Sequence, residues 1–463
     1  FSDATLRCVG VGNCRRESSD VVEDQTMCPS YMVTHEEEHS TRGRAHLLWE
    51  MLQGDPVKNG WRDDNVKQAL DLCLSCKGCK GDCPVNVDMA SYKAEFLSHY
   101  WEGRIRPRHA YAFGLVDKWA QIASRIPGLV NLATSTPGIR ELAKVAAGMP
   151  LERKIPQFAP EPFTRWMEKH RGAATGSKVI LFPDTFNNYF FPRTAKAAVR
   201  VLEHLGFQVE VPRQYICCGR PLYDYGFLDM AKQYLLRIMD VLRPAIEAGT
   251  PIIVLEPSCW SVLRDEVNEL FPERRETHRL MENTFLLGEF LDKHVDAEKL
   301  PKLYMKAVLH GHCHHKAIIK KAEEEINVLK HMGVDVHELT SGCCGMAGSF
   351  GFESDKYDVS VAVGEHSLLP TVRKTGLSTV IVADGFSCRE QVSQLTDRMP
   401  LHLAEVMQLA IEDGSAGTGG ILPERRFVRE HEAVIRQSKK RAGLLLGGLA
   451  AAAGVGLWLA NRD

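Results

Sequence analysis

Cys73-Leu74-Ser75-Cys76-Lys77-Gly78-Cys79-Lys80-Gly81-Asp82-Cys83-Pro84 decides how the rest of this chain is read. The spacing Cys-x-x-Cys-x-x-Cys-x-x-x-Cys-Pro lets one short loop wrap three corners of an iron–sulfur cubane through thiolate–iron bonds. The proline turns the chain away after the last cysteine. A zinc site would normally use two separated cysteine pairs. Where two clusters share a domain, the last cysteine of such a run serves the other cluster.

A damaged relative of this run lies upstream. Cys8 and Cys14 take its first and third places, Val11 stands in the middle, and Cys28-Pro29 supplies the distal pair after an insertion. Crossed ligation then assigns Cys28, Cys73, Cys76 and Cys79 to one [4Fe–4S] cluster. It assigns Cys8, Cys14 and Cys83 to a second, one thiolate short, so a [3Fe–4S] cluster or a [4Fe–4S] cluster with a foreign ligand is expected there. His35, His39 and the carboxylates Glu36 to Glu38 are the candidates for that ligand; their plainer reading is a solvated helix face.

The 463 residues suffice for several domains, and a net charge of −2 excludes the basic field of a nucleic-acid binder. Tight clustering of the 14 cysteines favours metal and a reducing, cytoplasmic compartment over a disulfide framework. The expected organisation is α+β and multidomain. An α-helical two-cluster domain covers 1–100, and a helical connector with a proline-rich spacer covers 101–175. A duplicated α/β cysteine-rich domain covers 176–412, as repeats 176–300 and 301–412. A linker, a charged helix and an apolar tail fill 413–463. The sequence starts at Phe1, which suggests a processed chain or the rear part of a longer one.

The duplication rests on matched signals. Val201-Leu202-Glu203-His204-Leu205-Gly206 is echoed by Val328-Leu329-Lys330-His331-Met332-Gly333, and each is followed by a Cys-Cys-Gly triplet, 217–219 and 343–345. Adjacent cysteines diverge, so one turn can serve different metals. The second repeat offers Cys313, Cys343, Cys344 and Cys388 as ligands for a further cluster. The first offers Cys217, Cys218 and Cys259, with Asp184-Thr185 where Cys313 would fall. A duplicated open α/β unit should gather its cysteine loops at one end of its strands. Around Cys313 the run His310-Gly311-His312-Cys313-His314-His315-Lys316 can ligate metal, relay protons or bind an anion; the blander view is that one or two of these histidines line the site. Gly348 to Phe352 is a glycine-rich turn that matches no nucleotide-binding motif.

These motifs together give a family resemblance. Cys8 to Cys14, Met27 to Tyr31, His39 to Ala45, the cysteine run and both Cys-Cys-Gly regions resemble the iron–sulfur half of bacterial FAD-linked oxidases and dehydrogenases of the D-lactate/glycolate type. Similar modules are the iron–sulfur subunits of glycolate oxidase and anaerobic glycerol-3-phosphate dehydrogenase, and the cysteine-rich subunit of heterodisulfide reductase. The resemblance implies a ferredoxin-type domain followed by a cysteine-rich domain. It also implies a separate FAD domain, on a partner or preceding this chain, that oxidises the substrate. This chain would pass the electrons to an acceptor such as quinone; the alternative is a disulfide- or quinone-reducing subunit with chemistry of its own. Residues 442–460 lack charge and follow Lys439-Lys440-Arg441, so membrane attachment, peripheral anchoring and docking on a partner helix are all open.

Overall fold

The computed structural model describes residues 1–16, 25–172, 175–319, 323–415 and 422–460, the last twelve of these as helix backbone. The N-terminal part is helical. Ser40 caps the helix Thr41–Gln53 by accepting Gly43 N–H at 2.9 Å, and left-handed Gly54 ends it. Asp63 caps Asp64–Asp71 through Asn65 N–H at 2.9 Å, and Asp88 caps Met89–Tyr100 through Ser91 N–H at 3.2 Å. Leu48, Val66, Leu70, Val87 and Phe96 meet in a core that also contains Cys14, Cys28, Cys73, Cys79 and Cys83.

Short connector helices follow: Arg108–Gly114, Val116–Ala123, Pro127–Ala133 and Ile139–Ala147. Beyond the proline-rich stretch, strands β1 (Ser177–Leu181), β2 (Phe207–Glu210), β3 (Ile252–Val254) and β4 (Thr284–Leu286) form a parallel sheet in the order β2-β1-β3-β4. Strands β5 (Lys306–Leu309), β6 (Asp335–Glu338) and β7 (Val380–Val382) form a second, β6-β5-β7. In both sheets the first strand is central and every pairing is parallel. Parallel neighbours need crossovers, here Pro192–His204 and Leu228–Ala248 in one sheet and Glu324–His331 in the other. The echoed hexapeptides end the matching crossover helices, each on a left-handed glycine, Gly206 at φ +88° and Gly333 at φ +92°.

The two sheets share one core. Val179, Leu202, Ile253 and Phe290 from one side pack in the same cluster as Leu309, Val328, Val382 and Val406 from the other. The late helix Leu403–Asp413 lies against Pro192–His204, tied by Thr194 Oγ1 donating to Glu405 at 3.0 Å and by the Arg193–Glu405 ion pair at 2.8 Å. The helix Arg425–Ala460 returns to pack on Pro127–Ala133, where Gly128 leaves room for the Ser438 carbonyl. Among the described residues no helix is long and apolar enough to cross a membrane.

The helical domain docks through a glycine. A Cβ on Gly81 would lie 2.8 Å from the Ala317 carbonyl oxygen and 2.9 Å from its Cα, so the helices Gly78–Asp82 and Cys313–Ile319 touch backbone to backbone. Gly81→Val should lower stability by roughly 1–3 kcal/mol, the usual cost of overpacking. Gly443→Ala, inside the helix Arg425–Ala460 where a Cβ meets nothing within 4 Å, should not destabilise and should raise stability by up to about 1 kcal/mol. An anaerobic thermal melt of the two variants checks both.

Candidate metal centres

The run Cys73–Cys83 folds around two residues in the left-handed region, Ser75 at φ 52° and Lys77 at φ 59°. Upstream, Gly10 at φ +78° and Gly12 at φ +87° occupy the matching places between Cys8 and Cys14. The two loops therefore share a backbone path, and Val11 stands where Cys76 stands, 55% exposed.

Cys28, Cys73, Cys76 and Cys79 line one small cavity. Cys8, Cys14 and Cys83 line another, with Val11 and Asn13 in its wall. None of His35, Glu36, Glu37, Glu38 and His39 lines the second cavity. His39 is buried with Nδ1 at 2.9 Å from Thr34 Oγ1, and Glu37 is held by Arg15 and Arg42, each at 2.8 Å. Asp82, which sequence reasoning passed over, accepts Thr26 N–H at 2.6 Å and Met27 N–H at 2.9 Å and so pins Cys28 beside the run. Gly78 admits that segment, since a Cβ there would meet Thr26 Cβ at 2.8 Å.

The chemistry of the donors fits a thiophilic metal. Burial pushes the Cys28 thiol up to about 12 despite Arg44 and Thr41 nearby, and burial raises Cys259 to about 12 as well. Such thiols stay protonated at neutral pH unless a metal takes the proton's place. Backbone donors already face sulfur: Arg42 N–H to Cys14 at 3.3 Å, Met89 N–H to Cys79 at 3.4 Å and Gly345 N–H to Cys343 at 3.4 Å. Donors of this kind stabilise thiolate and tune cluster potential.

The Cys-Cys-Gly cysteines gather at the carboxyl ends of the strands, after β2 and β3 in one sheet and after β5, β6 and β7 in the other. Cys218 and Cys259 sulfurs lie 2.7 Å apart. In the first repeat Asp184 is a helix cap, its carboxylate accepting Phe186 N–H at 3.0 Å and both Asn187 N–H groups at 2.9 Å. Thr185, at the first position of its helix as Cys313 is in the second repeat, puts its hydroxyl 3.5 Å from Cys217 Sγ. His312 matches Asp184 in role: its Nδ1 accepts His314 N–H at 3.2 Å.

The two halves of the chain meet at this end. Cys76, Cys313 and Cys343 belong to one buried cluster with Leu74, Phe350 and Val363, and the neighbouring Cys343 thiol lowers the Cys76 pKa from its ordinary value. The Ser75 carbonyl accepts Arg220 Nη2 at 2.8 Å and His314 Nε2 at 3.1 Å, one donor from each repeat. Burial holds His314 well below the ordinary histidine range, with Arg220 adding repulsion, so it donates as a neutral ring. Lys77 is buried against Asp88 and Glu266, each at 3.2 Å, and also pairs with Asp265. Burial disfavours its charge, but these carboxylates outweigh it and hold its pKa well above the ordinary value.

An apolar cavity of about 230 Å³ lies between the connector and both repeats. Phe113, Met149, Phe158 and Phe352 line it, together with Phe186 and Phe386, stacked at 4.2 Å with one ring from each repeat. Cys217, Cys218 and Cys259 form part of its wall.

Comparison with known proteins places two family models on this chain. Residues 4–87 match the 4Fe-4S dicluster domain, and residues 184–264 and 307–392 both match the cysteine-rich domain. D-2-hydroxyglutarate dehydrogenase of Pseudomonas putida is 25% identical over 449 residues, 87% of this chain and 43% of that protein. One subunit of the anaerobic glycerol-3-phosphate dehydrogenase of Escherichia coli is 28% identical over 60% of this chain and 71% of its own length. Lactate utilization protein A of Bacillus subtilis is 27% identical over 50% of this chain and 98% of its own. The chain thus spans less than half the length of the D-2-hydroxyglutarate dehydrogenases it matches.

Glu256 links the repeats near these sites. It accepts Ser258 Oγ–H and, across the repeats, Phe386 N–H, both at 2.8 Å. Burial, reinforced by Asp184, raises its pKa from 4.5 to about 7. The folded chain therefore keeps a proton that the unfolded chain loses, and stability declines as pH rises from about 4.5 to 7 and is level above. The shift corresponds to roughly 3 kcal/mol. Glu256→Gln should flatten the fall in anaerobic melting temperature between about pH 4.5 and pH 7.

Proposed function

We propose that this chain, a 4Fe–4S dicluster domain joined to a cysteine-rich domain and related to the FAD-linked oxidase iron–sulfur proteins, is the electron-transfer part of a flavin-linked 2-hydroxy-acid oxidoreductase. The observation that carries the reading is the buried junction of Cys76 with Cys313 and Cys343, which brings the ferredoxin-type loop and the second Cys-Cys-Gly site into one buried cluster. The cysteine-rich domain is a duplication of one unit, supported by the shared strand order and the paired match.

Cys28, Cys73, Cys76 and Cys79 hold a [4Fe–4S] cluster, and Cys8, Cys14 and Cys83 hold a second of three-thiolate type. Cys313, Cys343, Cys344 and Cys388 hold a further centre. Cys217, Cys218 and Cys259 form a reduced version of it, with a threonine hydroxyl in place of a thiol. Clusters of this kind accept and release electrons singly. Electrons enter from FAD on a partner or on a further domain, as expected of a chain matching under half of the D-2-hydroxyglutarate dehydrogenases. The apolar cavity beside Cys217 suits the uncharged ring of a quinone acceptor. Trp119, Ile122, Ile126, Ile139 and Leu142 on the connector, and Leu444 to Leu446 on the returning helix, are all exposed, which supports attachment to a membrane face without a span.

Anaerobic iron and sulfide analysis, with electron paramagnetic resonance of oxidised and dithionite-reduced chain, tests the reading. The expected outcome is labile sulfide and a reducible cubane signal that disappears in Cys73→Ser. Reconstituted protein without sulfide would sink the proposal. Val11→Cys restores the missing thiolate on a loop of the right path; it should convert a three-iron signal of the oxidised protein into a four-iron signal on reduction, with higher iron content.

A further inference from the structure

His310 directly follows β5, and its counterpart in the first repeat is Phe182, which directly follows β1. The equivalence is geometric. Phe182 N–H donates to Ile253 O at 2.9 Å, and His310 N–H donates to Val382 O at 2.9 Å, in each case from the central strand to its neighbour. Both side chains are buried, at 1% and 2% exposure. The repeat that lacks the thiol of Cys313 thus also lacks this imidazole.

A ring nitrogen of His310 and the sulfurs of Cys344 and Cys388 lie within 4.8 Å of one another. Nδ1 meets Ser341 Oγ at 2.7 Å, and Nε2 is buried with no hydrogen-bond partner. An imidazole with Nδ1 engaged by a second residue and a bare Nε2 beside two thiols has the arrangement of a metal-binding histidine, whose other nitrogen is almost always oriented by a hydrogen bond. A buried ring with an unpaired nitrogen is otherwise costly, and an apolar residue serves in the same place in the sister repeat.

We propose that His310 is a nitrogen ligand, through Nε2, of the thiophilic metal centre at the second repeat, beside Cys344 and Cys388. The inference rests on the reading that this repeat holds a metal. The shared chemistry is a mixed nitrogen–sulfur donor set, which suits either iron of a sulfide cluster or a single zinc ion. Ser341 is then a positioning residue that fixes the ring.

The test uses the full chain isolated anaerobically. Iron, sulfide and zinc contents of wild type and Cys344→Ser/Cys388→Ser come first. A loss of iron and sulfide, or of zinc, in the double variant identifies the metal at the second repeat. Unchanged contents would overturn the underlying reading, and the ligand assignment with it. If the metal is iron, pulsed electron paramagnetic resonance of wild-type chain should show a directly coordinated ¹⁴N that changes to ¹⁵N on histidine labelling. That coupling should be lost in His310→Cys while iron is retained through the new thiolate. If it is zinc, absorption at the zinc edge should show imidazole scattering that His310→Cys replaces with sulfur. Metal present in wild type with no coordinated nitrogen, or nitrogen that survives in His310→Cys, would overturn the assignment without touching the electron-transfer reading.

Discussion

The carbonyl of Ser75 is where the whole architecture converges. It sits in the middle of the cysteine run, in a residue held at φ 52°, and it receives one hydrogen bond from Arg220 and one from His314. A buried carbonyl with two lone pairs is satisfied by two donors, and here each donor comes from a different repeat. Arg220 follows the first Cys-Cys-Gly triplet and His314 follows Cys313. The geometry of one cysteine loop therefore sets the position of the other two. Charge reinforces the arrangement: Arg220 pairs with Glu266, which also faces Lys77 of the same loop. Removing one member of such a buried set strands the others, so the junction tolerates little independent motion.

Each pair of related loops has one full member and one reduced member, and the backbone is kept where the side chain is not. Gly10 and Gly12 reproduce the left-handed turns of Ser75 and Lys77 around a valine in place of a cysteine. Glycine takes that conformation without strain, whereas Ser75 and Lys77 take it at a cost their buried partners offset. In the cysteine-rich part, Asp184 and His312 perform the same capping task, yet the next residue is a hydroxyl in one repeat and a thiol in the other. The reduced first site opens on the apolar cavity, while the full second site is walled by Cys76, Phe350 and Val363. The two sites thus differ in solvent and ligand access as well as in donor number.

Much of this was legible in the chain itself. The cysteine spacing places Cys73, Cys76 and Cys79 around one cavity because loops of that length have few ways to present three thiols, and the crossed ligation of a two-cluster domain adds Cys28. The hexapeptide echo locates equivalent crossover helices because each copy closes on a glycine, the residue that most readily takes the left-handed turn found just past both helices. What could not be read were contacts between residues far apart in sequence. The Asp82 clamp on Thr26 and Met27 uses an ordinary carboxylate. Arg220 and Ser75 are separated by 145 positions. Leu403–Asp413 lies beyond the second repeat's strands yet packs on the first, so the repeats share a core instead of standing as independent units. None of the candidates for a fourth ligand near Val11 lines the cavity of Cys8, Cys14 and Cys83, and two of them, His39 and Glu37, are engaged by other residues.

Burying thiols inside hydrophobic clusters couples folding to the metal. Cys14, Cys28, Cys73, Cys79 and Cys83 are counted among the apolar core of the helical domain, and Cys76, Cys313 and Cys343 among that of the junction. As thiols they pack as small hydrophobes and satisfy the core. As thiolates they need a cation, because burial alone places groups such as Cys28 at about 12, far above neutral pH. Metal binding must displace those protons, so its free energy is drawn into the stability of the domain that encloses it. The backbone N–H groups aimed at Cys14, Cys79 and Cys343 reduce that cost by supplying partial positive charge in advance. The same donors that help the sites fill also bias their redox potentials, so the packing that builds the junction and the chemistry that uses it are set by the same few backbone positions.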